Sequence, residues 1–209
     1  MKIMTLNCGS SSVKYSLWDV PAEVKMCGGI VERVGIGDSF IRHQAHGKET
    51  IYKHNCPTHD VAIKLIFDFL TNSKHGVIKE LGEVEAIGHR VVHGGQKFTH
   101  STIIDDDVIK AIEECSVLAP LHNPPNLSGI RAAMNLIPNI PHIAIFDTAF
   151  FTTMPPHAYI YAVPYRWYEK YGVRRYGFHG SSHSYVSRRA AELLGKKPSE
   201  INVITLHIG

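Results

Sequence analysis

Apolar and polar residues alternate through the opening of the chain. Lys2 to Cys8 and Val13 to Asp19 each read as a β-strand, and Gly9-Ser10-Ser11-Ser12 between them reads as a tight turn. Two alternating runs around a Gly/Ser turn predict a hairpin. Strand-like runs follow at 27–34, 38–44 and 49–54, punctuated by Gly28, Gly29, Gly35, Gly37 and Gly47. The opening therefore predicts an antiparallel meander. The period then changes. Thr58 can cap a helix reaching Leu70, with Val61, Ala62, Leu65, Ile66 and Phe69 at helical spacing. Residues 84–93 read as a strand. Asp105 can cap a second helix, with Val108, Ile109, Ile112 and Cys115 on one face. Asn123-Pro124-Pro125 starts a third, because proline is tolerated in a first turn, and Pro138 ends it. His142 to Asp147 is a short apolar strand. Helices are expected at 164–171 and 182–194, and a last strand at Ile201 to His207.

A meander followed by β/α alternation predicts an α/β fold, a mixed sheet flanked by helices. Residues 3–9 and 203–209 echo each other, both carrying Thr, Leu and Gly in register. The echo predicts that the last strand opens a second, related domain. Residues 1–150 are then one domain and 151–209 the incomplete beginning of another, which points to a truncated second domain.

Charge and composition narrow the function. The 209 residues carry 22 Lys and Arg against 19 Asp and Glu, a net charge of +3. That balance, with basic residues scattered, argues for no nucleic-acid partner. No apolar run approaches the ~18 residues of a membrane-spanning helix, and the N-terminus lacks a signal-peptide core. The chain reads as cytoplasmic with no membrane partner. Cys8, Cys27, Cys56 and Cys115 form no C-x-x-C and fit reduced thiols. The unusual number is 14 histidines.

Five segments could carry chemistry. The Gly9–Ser12 turn offers backbone N–H groups and three hydroxyls, either an anion nest or a solvated turn. Lys14 lies near that turn or in water. In Gly88-His89-Arg90-Val91-Val92-His93-Gly94-Gly95, alternation puts Arg90 and Val92 on one face and His89, Val91 and His93 on the other. His89 and His93 would be about 13 Å apart on a strand, too far to share a metal. Arg90 beside Val92 suits a small ligand with an anionic and an aliphatic end, or Arg90 makes a structural salt bridge. His122 precedes a helix start, where an anion is favoured, unless Asn123 simply caps that helix. Asp147 ends an apolar strand among Phe146, Phe150 and Phe151. Burying it there demands a metal, an arginine or a substrate as partner, unless it is a plain helix cap. Tyr176-Gly177-Phe178-His179-Gly180-Ser181-Ser182-His183 is a second Gly/Ser turn, with His179 before a helix and His183 within it. No third zinc ligand is evident there, and an imidazole plus N–H groups suits a phosphoryl group.

Taken in order, these segments resemble the acetate kinase family. The matching stretches are N-x-G-S-S-S-x-K at 7–14, G-H-R-V-V-H-G-G at 88–95, A-P-L-H-N-P-P-N at 119–126, F-D-T-A-F-F at 146–151, Y-G-F-H-G-S-S-H at 176–183 and a terminal L-H-I-G. Propionate kinases share nearly all of them. The resemblance implies the ribonuclease H-like fold of the acetate and sugar kinase/Hsp70/actin superfamily, with the site in a cleft between two domains. It implies members about twice this length, homodimers, and Mg2+ (or Mn2+) with ATP/ADP as co-substrate. The implied reaction is reversible transfer of the ATP γ-phosphoryl to acetate. The alternatives are a propionate kinase, or a half-domain that only binds a ligand or partner. By position, Asp147, Arg90 and His179 would be catalytic, and Arg90, Val92, Leu121 and His122 would bind the acid. Lys14, Ser10, Ser11, Ser12, His207, Ile208 and Gly209 would meet the nucleotide, and Asn7 the metal.

Overall fold

The computed structural model describes residues 1–208; Gly209 lies outside them. The expected hairpin is formed by β1 (Lys2–Cys8) and β2 (Ser12–Asp19), antiparallel and in register from Lys2 opposite Asp19 to Cys8 opposite Val13. β3 (Val24–Glu32), β4 (Phe40–Ala45) and β5 (Lys48–Lys53) continue the meander outward. On the other side of β1 lies β6 (Ala86–Val91), parallel to β1, then β8 (His142–Phe146), parallel to β6, then β7 (Thr102–Ile103), antiparallel to β8 at the edge. The eight strands run in the order β5-β4-β3-β2-β1-β6-β8-β7. The mixed sheet flanked by helices is the architecture that the pattern predicts.

Alternation decides which face is covered. Met4, Leu6, Cys8, Val13, Tyr15 and Leu17 are buried, while Thr5 and Lys14 between them are exposed. On the buried side, α1 (His59–Leu70) packs Ile63, Ile66, Phe67 and Leu70 into the core. Each such side chain contributes ~1.5–3 kcal/mol of apolar burial. α3 (Asn123–Leu136) lies beside α1, and α2 (Asp106–Glu114) packs on α3, its Val108 and Ile112 sharing a second core with Ala144 and Phe146 of β8. The caps are those expected. Thr58 Oγ1 accepts from the Val61 N–H at 3.4 Å, and Asp105 Oδ1 from the Val108 N–H at 2.8 Å.

Three expectations change. β6 ends at Val91 rather than at residue 93, because the next N–H groups are taken by side chains: the Val92 N–H donates to Asn126 Oδ1 and the His93 N–H to Asn123 Oδ1. Asn123 therefore does not cap α3; it is its first residue, turned inward and buried. The strand expected at 201–207 is absent: residues 201–208 take no regular structure. A strand needs a neighbouring backbone, and none of the described residues runs alongside. The segment lies instead against α6 (Gly180–Leu193), through His183 Nδ1 to Thr205 Oγ1 at 2.7 Å and His207 Nδ1 to Ser182 Oγ at 3.0 Å. Two shorter helices, α4 (Pro156–Tyr159) and α5 (Arg166–Tyr171), precede α6. Within 151–208 only Gly180 and Ala191 are buried.

Candidate active site

The parallel register of β1, β6 and β8 carries three polar side chains to neighbouring strand ends: Asn7, Arg90 and Asp147. In open α/β sheets that edge is where ligands bind. Asp147 begins a 3₁₀ turn, Asp147–Phe151, directly after β8 and is 1 % exposed. A carboxylate so enclosed needs a partner. Arg90 supplies it, with Nε at 3.0 Å and Nη2 at 2.6 Å, both on Oδ2. Arg90 Nη1 donates to Asn7 Oδ1 at 3.2 Å, and Ser181 Oγ donates to Asp147 Oδ1 at 3.0 Å. Four segments thus meet on one carboxylate–guanidinium pair. Of the partners foreseen for Asp147, the structure shows the arginine.

A cavity of about 340 Å3 opens beside the pair, lined among others by Asn7, Lys14, Lys25, Arg90, Ile145 and Ser181. Lys14 stands opposite Asn7 in the hairpin register. Neither Lys14 nor Lys25 has an ion pair among the described residues. Two such lysines and the Asp147-bound Arg90 around an open space are suited to an anion.

The surroundings hold this edge rigid. Asn126 Nδ2 donates to the Cys8 carbonyl at 2.6 Å while its Oδ1 takes the Val92 N–H, tying β1 to the end of β6. Asn123 holds both backbone groups of His93 and also the Ile112 carbonyl. The Gly9–Ser12 turn is closed by the Gly9 N–H on the Ser12 carbonyl at 2.8 Å. Ser10 is exposed, and Ser11 and Ser12 are half-buried. His89 does not face Arg90. It is buried on the core side, its Nε2 3.0 Å from His142 Nδ1, while His142 Nε2 bonds the Ile137 carbonyl at 2.9 Å. His93 Nδ1 accepts from the Gly95 N–H. Burial lowers the pKa of His89 to about 3 and of His93 to about 4, so both are neutral at pH 7. The same cause pushes the Cys8 thiol up to about 12, which makes it a packing group.

The remaining expected residues are less gathered. Val92 is buried just beyond β6, so the strand alternation that put it on Arg90's face stops one residue short of it. Ile145, directly opposite Arg90 in the β6/β8 register, lines the cavity with Arg90. Leu121 is 73 % exposed, and His122 is exposed at the start of α3 with no side-chain capping bond. His179, in the left-handed region (φ 57°), directly precedes α6, and its ring stacks on His207 with centroids 4.2 Å apart. Ile208 is exposed, and Gly209 lies outside the described residues. Sequence reasoning missed Ile145 and Ser181. Register between parallel strands leaves no mark in a sequence, and Ser181 was read only as part of a phosphoryl-binding turn.

Among the described residues, no group of three or more His, Cys, Asp or Glu is arranged to hold a metal. Asn7 and Asp147 do bring an amide and a carboxylate oxygen to the same arginine. That small, all-oxygen set suits Mg2+, which keeps waters and takes its other ligands from phosphates. Among the described residues no helix is long and apolar enough to cross a membrane.

The chain thus presents a mixed α/β sheet with a buried carboxylate held by an arginine at its strand ends, beside a cavity lined by Lys14, Lys25 and Arg90. The chain belongs to the Acetokinase family, which it matches over residues 2–209. It is 60 % identical over its whole length to an acetate kinase of Geobacter metallireducens and 54 % identical to one of Thermotoga maritima, covering 50 % and 52 % of those proteins. Among solved structures it resembles Porphyromonas gingivalis acetate kinase (TM-score 0.90, 48 % identity, 94 % of this chain and 50 % of that one). It also resembles a propionate kinase from Francisella tularensis (TM-score 0.86, 39 % identity, 93 % of this chain and 49 % of that one). The chain spans about half the length of the relatives it matches.

Proposed function

We propose that this chain is one half of an acetate kinase, which moves the γ-phosphoryl of ATP reversibly onto acetate, giving acetyl phosphate and ADP. The observation that carries the reading is Arg90 held between Asp147 and Asn7 at the edge of a cation-lined cavity, in a chain of this family. Acetate is already ionised at pH 7, so its oxygen attacks phosphorus without a strong base. The task left is positioning and charge neutralisation. Arg90 binds the acetate carboxylate and shields the transferring phosphoryl. Asp147 fixes the guanidinium, and His179 donates to the equatorial oxygens. Val92, Leu121 and His122 surround the acyl end. Lys14, Ser10, Ser11 and Ser12 would bind the ATP phosphates from this half, and His207, Ile208 and Gly209, the last of them outside the described residues, would be the nucleotide contacts from the start of the next. Asn7, with Asp147, would hold Mg2+ (or Mn2+), which supplies charge neutralisation at the phosphates. Residues 1–150 act as one domain and 151–209 as the beginning of the nucleotide-binding one, in a cytoplasmic homodimer.

The test is acyl phosphate formation, trapped as the hydroxamate, by a full-length protein carrying this half. ATP- and divalent-cation-dependent turnover of acetate is expected. Faster use of propionate would favour the related propionate kinase reading, and no turnover of either acid would refute the proposal.

A further inference from the structure

Ser181 belongs to none of the roles above, yet among the described residues it makes the one side-chain bond between α6 and Asp147. Its Oγ donates to Oδ1 at 3.0 Å, while Oδ2 is taken by Arg90. Both carboxylate oxygens are thereby fixed, one from β6 and one from α6, and rotation of the group is blocked. The helix is seated for this. Gly180, the residue before, has no room for a side chain: a Cβ there would lie 1.9 Å from the Asp147 carbonyl oxygen. The backbone of α6 thus rests directly on the residue whose carboxylate it holds. Ser181 also lines the cavity with Asn7, Lys14 and Arg90 and is exposed toward solvent, so its hydroxyl is not needed to fill the core. A hydroxyl on an otherwise exposed residue, bonded to a 1 %-exposed carboxylate, is placed to orient it.

We propose that Ser181 is a positioning residue for the reaction, acting through Asp147 by fixing its carboxylate plane, and hence the Arg90 guanidinium, in the productive orientation. This rests on the acetate kinase reading of the same site. When acetate takes part of Arg90's bonding capacity, Asp147 gives up some of its hold on the guanidinium. Ser181 then keeps the carboxylate from swinging after it. The effect falls on the chemical step rather than on substrate affinity, because Ser181 has no assigned contact with either substrate.

The experiment compares Ser181→Ala and Ser181→Thr in the full-length protein, measuring kcat and the KM for acetate and ATP, with thermal melting as the check on folding. A hydrogen bond to a charged group corresponds to roughly 10- to 100-fold in rate. The expected result is that loss in kcat for Ser181→Ala, KM values within about threefold, an unchanged melting temperature, and recovery in Ser181→Thr, which keeps the hydroxyl. Three results overturn the proposal: a Ser181→Ala kcat within twofold of wild type, a loss confined to KM, or a parallel fall in melting temperature and activity that makes the bond merely structural. Failure of the wild-type protein to phosphorylate acetate or propionate is a different outcome. It removes the functional reading itself, and this proposal with it.

Discussion

Asp147 is an enclosed carboxylate, costly to bury alone, and Arg90 is what makes its position tolerable. Removing one partner of an enclosed ion pair leaves the other charge unsatisfied. Arg90→Ala should therefore act twice. In the full-length protein it should lower kcat/KM by roughly 30- to 1000-fold, the equivalent of ~2–4 kcal/mol of lost transition-state stabilisation. It should also lower the melting temperature, since Asp147 stays buried without its cation. Arg90→Lys keeps the charge but not the planar fork that reaches Asp147 and Asn7 together, so most of the activity should still be lost. Steady-state kinetics and a thermal scan of the same preparations check both effects; an Arg90→Ala enzyme within twofold of wild type would remove Arg90 from the site. At this scale the sequence was informative about residue type and silent about partners. That Asp147 needed a partner, whether a metal, an arginine or a substrate, unless it was a plain helix cap, followed from its apolar neighbours. That the partner is Arg90, 57 positions earlier, follows only from the parallel register of β6 and β8.

At the scale of elements, the interface between those strands and their helices is built on neutral histidines. His89 and His142 stack across β6 and β8, and His93 follows the end of β6. Burial lowers the pKa of all three, to about 3 for His89 and about 4 for His93. The unfolded chain takes up these protons near pH 6.5, where the folded one does not. Stability should therefore be full above pH ~6.5 and fall as the pH drops toward the folded values, by up to ~1.4 kcal/mol per pH unit for each of His89 and His93. Denaturant titrations at pH 7.5 and 5.0 measure this; equal stabilities would contradict it. His93→Asn, which keeps an acceptor for the Gly95 N–H, should reduce the slope by up to one proton.

A second element-level prediction concerns α3. A Cβ on Gly129 would stand 2.1 Å from Cys8 Sγ, so this helix approaches the end of β1 only because the residue is glycine. Gly129→Ala should cost ~1–3 kcal/mol by overpacking, seen as a lower denaturation midpoint with an unchanged slope. The helices and the meander were legible because their periods and caps are local: Thr58 and Asp105 could be read as caps without any knowledge of the sheet. The Asn123 and Asn126 clamps were not, because a buried side chain replacing a ladder bond leaves no periodic signal.

For the whole molecule, burial is uneven. Residues 1–150 contribute nearly all of the buried side chains, whereas Tyr165, Trp167, Tyr185, Leu193, Ile204 and Leu206 are exposed in the remainder. The echo between residues 3–9 and 203–209 predicted a strand, and its alternation is present, but pairing is a property of a neighbour rather than of a segment. On the proposed reading, charge neutralisation comes from two sides of a cleft, and this chain holds one of them. The 209-residue chain alone should therefore form no acetyl phosphate above background, while a full-length protein does.

The most direct test of the central claim is kcat for acetyl phosphate formation by full-length Asp147→Asn beside wild type. The substitution keeps the size of the side chain and removes the charge that holds Arg90 and receives the Ser181 bond. The account predicts active wild type and a loss of at least about 100-fold in kcat, in line with removal of one preorganised electrostatic group. An Asp147→Asn enzyme that turns over acetate at the wild-type rate would contradict it.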